Sequence, residues 1–300
     1  MWGNGPGREQ AGQRSGRELQ QPPGALPAVH RAARLAAFVA LAPALALTGC
    51  LAGAGADVEV VPFLDLQGAA PGSPTEFALA LRASRDTALP VSFVDAPDGW
   101  LVQPDSDRVA VGPAGAVLVV AVEPARDASY GLHYASIKVG PREVFLAVDV
   151  RDAGEERLRP GIGALVRTVG FWDNGTVFYT NMKEVRDNRA LRFGDLGGEP
   201  PTEADWEPLK VYVGGERGVP PPEPYNASGY RPVIAGFDAR LRGMREGETL
   251  AVRIAPEDAY TRPGNEDHAL YGDALGFVVQ VTRVDDLGPA PECGLPVCPP

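Results

Sequence analysis

The chain has 300 residues, with 28 Lys+Arg against 39 Asp+Glu and a formal net charge of -11, which excludes a broad basic footprint for nucleic acid. Hydrophobic residues at 44% and charged residues at 22% exclude a disordered chain and leave enough apolar side chains for folded cores. Gly 36 and Pro 30 point away from long helices, so the predicted fold class is mainly β, and the length predicts two domains once a targeting segment is subtracted.

Arg31 and Arg34 precede an apolar run of 13 residues, Leu35 to Leu47, which leads into Leu47-Thr48-Gly49-Cys50. A transmembrane helix needs about 20 residues, so the run reads as an export signal cut before Cys50. The four residues resemble a lipobox, which implies that Cys50 becomes the diacylated N-terminus and anchors the chain to the extracytoplasmic face of a membrane. The other reading is an uncleaved anchor with Cys50 as a buried thiol; both place the remainder outside the cytoplasm. Residues 1–28 lack periodicity and precede a signal that is complete from Val29, so they read as a misplaced start. Loss of residues 1–49 removes five Arg and two Glu, leaving 23 basic and 37 acidic side chains and a net charge of -14. Such a charge argues against docking on anionic lipid beyond the acyl chain. Residues 50–57 form the tether.

A first domain is predicted over 58–151. Phe77, Leu79 and Leu81 alternate on one face, as do Val144, Leu146 and Val148, the period of half-buried strands. Runs at Val91 to Val94, Val109 to Val111, Val117 to Val122 and Tyr130 to Val139 bring the expectation to seven or eight strands, the spacing of a sandwich. The succession Pro71-Gly72-Ser73-Pro74, Pro97-Asp98-Gly99-Trp100 and Tyr130 resembles the immunoglobulin-like modules of secreted prokaryotic proteins. Trp100 is expected in the core, and His133 in a structural or solvent-facing position.

After the charged segment 151–160, a second domain is predicted over 157–288. Ala164 to Phe178 reads as two strands around Asp173-Asn174-Gly175. Val233-Ile234-Ala235-Gly236-Phe237 opens a short helix whose Phe237, Leu241 and Met244 share one apolar stripe, with Gly247 as its stop. Ile254-Ala255-Pro256-Glu257-Asp258-Ala259-Tyr260 then ends a strand in a polar loop, and Leu275 to Val281 alternates as the last strand.

These three blocks, in this order, resemble the FKBP-type peptidyl-prolyl cis-trans isomerases. The resemblance implies an antiparallel sheet of five or six strands wrapped around one short helix, and a cleft for proline-containing polypeptide segments. It implies catalytic positions at Phe178, Ile234, Phe237, Tyr260 and Phe277, with the Ile234 amide and the Tyr260 hydroxyl as donors and Phe237 as the floor. Val233 and Leu209 complete the pocket, and His268 lies in the loop beside it or on the surface. Two positions depart from the family: Thr168 stands where a tyrosine is usual, and Tyr179 where an aspartate is usual. Their effect is expected on turnover more than on the aromatic grip.

Prolyl isomerisation needs no nucleophile or metal. The amide C–N bond is held planar by resonance, with a barrier of about 18–20 kcal/mol. A dry aromatic cleft favours the twisted, less polar amide. Three Cys and three His, without a CxxC or HExxH motif, fit a protein with no metal and no cofactor. Two long loops, Asn181 to Trp206 and Gly215 to Arg231, flank the expected cleft and read either as client-recognising or as solvated insertions. Cys293 and Cys298, in the Pro-rich tail 289–300, are placed for a small disulfide loop. The functional expectation is an exported isomerase of X-Pro bonds. The rivals are a non-catalytic FKBP-like binding module and an envelope protein whose aromatics are all core.

Overall fold

The computed structural model describes residues 57–194, 196, 203–261 and 266–288. The export segment, Cys50, Cys293 and Cys298 lie outside them. The described chain is mainly β with a few short helices, as its composition predicts. No helix in it is long and apolar enough to cross a membrane.

Nine strands occupy the first part: β1 (Val58–Pro62), β2 (Leu66–Ala69), β3 (Thr75–Ala83), β4 (Thr87–Asp95), β5 (Leu101–Pro104), β6 (Arg108–Val111), β7 (Ala116–Glu123), β8 (Gly131–Val139) and β9 (Arg142–Val150). They form a sheet ordered β1-β3-β7-β5 and another ordered β2-β9-β8-β4-β6. The alternating residues meet between the two sheets: Phe77, Leu79 and Leu81 from β3 share one core with Val144, Leu146 and Val148 from β9. Trp100 closes that core beside His133, ring centroids 5.3 Å apart, and His133 Nε2 lies 2.8 Å from the Ser129 carbonyl oxygen.

The second part comprises β10 (Gly163–Trp172), β11 (Thr176–Thr180), α1 (Lys183–Arg186), β12 (Arg192–Phe193), β13 (Leu209–Tyr212), α2 (Ala235–Leu241), β14 (Thr249–Ile254) and β15 (Leu275–Asp285). Its sheet is ordered β12-β11-β10-β15-β14, with β13 also on β10, and only the two-residue β12 runs parallel to its neighbour. Because β13 pairs with residues 163–166 of β10 and β11 with residues 169–171, that edge of β10 has a gap. Asn181 fills it. Its side chain accepts from the Thr168 N–H at 2.7 Å and donates to the Val166 and Glu207 carbonyls at 3.0 and 3.1 Å.

Phe237 and Leu241 seat α2 on the inner face of this sheet, as the stripe predicts. The helix stops earlier than Gly247, however. Arg242 is already extended (ψ 127°) and Gly243 takes a positive φ of 88°, the left-handed conformation that glycine tolerates and that ends helices. Met244 is therefore buried as a non-helical residue, while the Gly247 N–H starts the approach to β15 by donating to the Val281 carbonyl at 2.8 Å. The charged segment before β10 is also more than a linker. Leu158 is buried, its N–H donates to the Met244 carbonyl, and its carbonyl accepts from the Gly243 N–H.

The two parts are joined by a third apolar cluster. Ala78 and Ala80 on the outward side of β3, with Val117 and Val119 of β7, meet Val169 and Phe171 of β10 and Val278 of β15. The small alanines allow close approach, and Phe63 stacks on Phe171 at 4.4 Å. This contact also covers the free edge of β14, whose backbone groups would otherwise be unpaired. The Ala251 N–H donates to Glu76 Oε2 at 3.1 Å, Thr75 Oγ1 donates to the Thr249 carbonyl at 3.0 Å, and Arg253 Nη2 donates to the Val117 carbonyl at 2.7 Å.

Burial raises the pKa of Glu76 above its usual value of 4.5, against the opposing effects of the Ala251 N–H and Arg240, and with Asp105 adding to the rise. The folded chain thus holds this proton more tightly than the unfolded chain. Stability falls as pH rises from the ordinary value through the raised one, and is level above it. Glu76→Gln keeps an acceptor for the Ala251 N–H and removes that slope. The variant is expected to be at least as stable as wild type at pH 7, with its advantage shrinking toward pH 4.5, in urea titrations across that range. A loss of more than about 1 kcal/mol at pH 7 would show that the carboxylate charge itself holds the seam.

Candidate functional site

The inner face of the β10–β15 sheet carries a row of aromatic rings. Trp172 meets Phe178 at 5.0 Å between centroids, Phe178 meets Phe277 at 5.7 Å, and Phe277 meets Phe237 at 5.1 Å, with interplanar angles of 62°, 90° and 87°. Edge-to-face packing of this kind contributes roughly 0.5–1.5 kcal/mol per pair beyond the area buried. Gly170 makes room for it: a Cβ there would lie 2.6 Å from Phe178 and 3.1 Å from Phe277. The pairing is reciprocal across the sheet. Gly170 faces Phe277 on the inner side, and Gly276 faces Phe171, whose ring occupies the space of a Cβ, on the outer side.

A β-bulge decides where Tyr179 points. Between β10 and β11 the register passes from Gly170↔Tyr179 to Phe171↔Val177 and leaves Phe178 extra, so Phe178 and Tyr179 both belong to the Gly170 side. Burial raises the Tyr179 phenol pKa, and the Asp205 and Tyr260 side chains raise it further. The phenol therefore stays protonated at neutral pH and can donate a hydrogen bond.

Ile234 is buried at the entry to α2, and Val233, Leu209 and Tyr260 are half-buried against the same cluster as Phe237 and Phe277. Among the described residues no acceptor takes the Ile234 N–H. Tyr260 follows the 3₁₀ turn Pro256–Asp258 and stacks on His268, centroids 3.9 Å apart and planes within 11°. His268 is thus brought to the aromatic group around Tyr260. Thr168 is not brought to it in the same way: it is 1% exposed and its hydroxyl donates to the Val278 carbonyl at 2.9 Å.

Several residues here carry no signal in the sequence. Trp172 ends β10 and donates its indole N–H to Asp273 Oδ2 at 2.9 Å, tying the loop before β15 to the aromatic row. Arg217 places its guanidinium 4.5 Å from the centre of the Tyr260 ring. Nothing in composition singles it out among the arginines of an arginine-rich chain. The loop from Gly215 to Arg231 that carries it is packed rather than solvated. Tyr225 and Tyr230 are buried in it and Tyr225 lies 5.0 Å from Tyr212. The Tyr230 hydroxyl donates to the Asp285 carboxylate, and burial, reinforced by that carboxylate, pushes the phenol up to about 12. The loop from Asn181 to Trp206 likewise sends Val185 and Leu191 into the cluster around Phe171. Among the described residues no three His, Cys, Asp or Glu gather to hold a metal ion.

A search of curated proteins found no match. Among solved structures the chain is similar to domains 4 and 5 of the S-layer protein SbsC, at 18% identity over 33% of this chain and 48% of that one, with a TM-score of 0.25. It is also similar to SbsC domains 4-9 (13% identity, 78% of this chain and 28% of that one, TM-score 0.29) and domains 5-6 (12%, 75% and 85%, TM-score 0.29). The chain thus spans about half of the first of these structures and under a third of the second, and TM-scores this low assign neither fold nor function. Residues 218–282 match the family model for FKBP-type peptidyl-prolyl cis-trans isomerase, and because that stretch includes Val233, Ile234, Phe237, Tyr260, His268 and Phe277, the match supports an FKBP-type isomerase module in the second part of the chain.

Proposed function

We propose that the protein is an extracytoplasmic peptidyl-prolyl isomerase that acts on X-Pro segments of exported polypeptides, tethered through a lipid on Cys50 and carrying an immunoglobulin-like sandwich before its FKBP-like part. The observation that carries the reading is the row Phe178, Phe277 and Phe237 over Gly170, with Tyr179 and Tyr260 beside it. A proline ring needs a dry aromatic wall, and rotation about its amide needs an environment that favours the twisted, less polar form. The Ile234 N–H and the Tyr260 hydroxyl are the donors for the carbonyls on either side of that bond. Tyr179 adds a neutral donor where the family usually has a carboxylate.

A second reading, a non-catalytic receptor for proline-containing chains, is favoured by Thr168. Its hydroxyl is spent on the Val278 carbonyl, so the tyrosine usual at this position has no polar substitute in the cleft. Tyr260→Phe separates the two. It removes one hydroxyl and keeps the ring between its neighbours. In an isomerase it lowers kcat/KM for a short X-Pro peptide by about three- to tenfold, the worth of one hydrogen bond, with the unfolding midpoint held. A receptor shows peptide binding and no rate to lower.

A further inference from the structure

The stack on Tyr260 has two layers. A parallel imidazole at 3.9 Å covers one face of the ring, so the guanidinium of Arg217 at 4.5 Å occupies the other. Arg217 reaches that position from the tip of a tight turn. The Val219 N–H donates to the Glu216 carbonyl at 3.0 Å, and Gly218 takes a φ of 89°, as the third residue of such a turn requires. The chain is fixed on both sides of the turn: the Gly214 N–H donates to Asp238 Oδ1 at 2.6 Å, and Tyr225 and Tyr230 pack against Tyr212 and Asp285. Among the described residues no carboxylate pairs with Arg217 and no acceptor takes its N–H groups. A guanidinium lying on an aromatic face keeps its donors in its own plane, directed outward, in the fork that a carboxylate fits.

We infer that Arg217 is a specificity-determining residue that selects X-Pro segments bearing an Asp or Glu within one or two residues of the proline. The charge is local in a chain whose net charge is -11. An acidic client residue beside the proline pairs with this outward-facing guanidinium and fixes the direction in which the segment lies. This rests on the reading of the cleft as a proline site.

The test uses the full chain and two peptides that differ only in Glu or Gln beside a Leu-Pro unit, with dissociation constants read from tryptophan fluorescence. The Glu peptide binds about two- to fivefold tighter at low salt, the range of an exposed ion pair, and the preference disappears near roughly 0.5 M NaCl. In Arg217→Gln the ratio falls to one, and in Arg217→Lys it is retained but smaller. Equal binding of the two peptides by wild type at low salt, or an unchanged ratio in Arg217→Gln, overturns the role of Arg217 and leaves the proline site standing. Failure of wild type to bind either peptide, or binding unaffected by Phe237→Ala, overturns the proline site and this inference with it.

Discussion

Phe171→Ala is expected to lower the stability of the whole described chain by about 3–5 kcal/mol, the cost of emptying a fully buried aromatic site. The ring is 1% exposed, lies over Gly276 where a Cβ would come within 2.1 Å of it, and stacks on Phe63 from the other part of the chain. Neither neighbour can collapse into the space, since one is backbone of a central strand and the other is held by its N–H, which donates to the Ala78 carbonyl at 3.1 Å. Because the seam also supplies the hydrogen bonds that cover the edge of β14, the β1–β9 sheets and the β10–β15 sheet unfold together. Guanidinium titrations followed by tryptophan fluorescence and by far-UV circular dichroism should coincide for wild type and variant, with the variant's midpoint shifted down. A loss below about 1 kcal/mol, or two separated transitions, would mean that the seam is a loose contact. A fragment starting at 157 would expose Val169, Phe171 and Val278 to water, so function is best measured on the full chain.

Phe237→Ala is the second large effect. Phe237 is buried, anchors α2 to the sheet and meets Phe277 edge-on at 5.1 Å, the position of the floor in the proposed cleft. Truncation costs about 3–5 kcal/mol by the same cavity argument, and it removes the wall against which a proline ring would lie. Binding of a short X-Pro peptide should weaken by more than about tenfold, and Phe237→Leu should recover most of the stability with much less of the binding. Full binding by Phe237→Leu would show that the position is filler for the core and that the ligand lies elsewhere.

Much of this was legible in the residues. Period-two alternation located the strands that fill the first core, since Phe77, Leu79 and Leu81 face it with no competing role. The Val233-Ile234-Ala235-Gly236-Phe237 entry placed α2 because a helix needs its apolar stripe wherever the chain ends up. What was not legible depends on contacts distant in sequence. Ala78 and Ala80 read as the plain outward side of a strand, and only the approach of Phe171 turns them into an interface. Tyr179 could not be given a direction, because one extra residue in β11, invisible in a run of Val-Phe-Tyr, decides which side two successive rings take. Gly247 was the more obvious helix stop, yet Gly243 acts first, since Leu158 holds the chain beside it on both sides of the turn. Arg217 lay in a loop whose anchoring depends on Asp285, far along the chain.

The proposed isomerase must catalyse rotation about X-Pro bonds in its aromatic cleft. Its most direct test is the cis-to-trans relaxation rate of a short Leu-Pro peptide with and without the folded full chain. The expected result is acceleration that rises linearly with protein concentration and is lost in Phe237→Ala; an unchanged rate from a chain shown to be folded and to bind the peptide would contradict catalysis and leave a receptor in place of an enzyme.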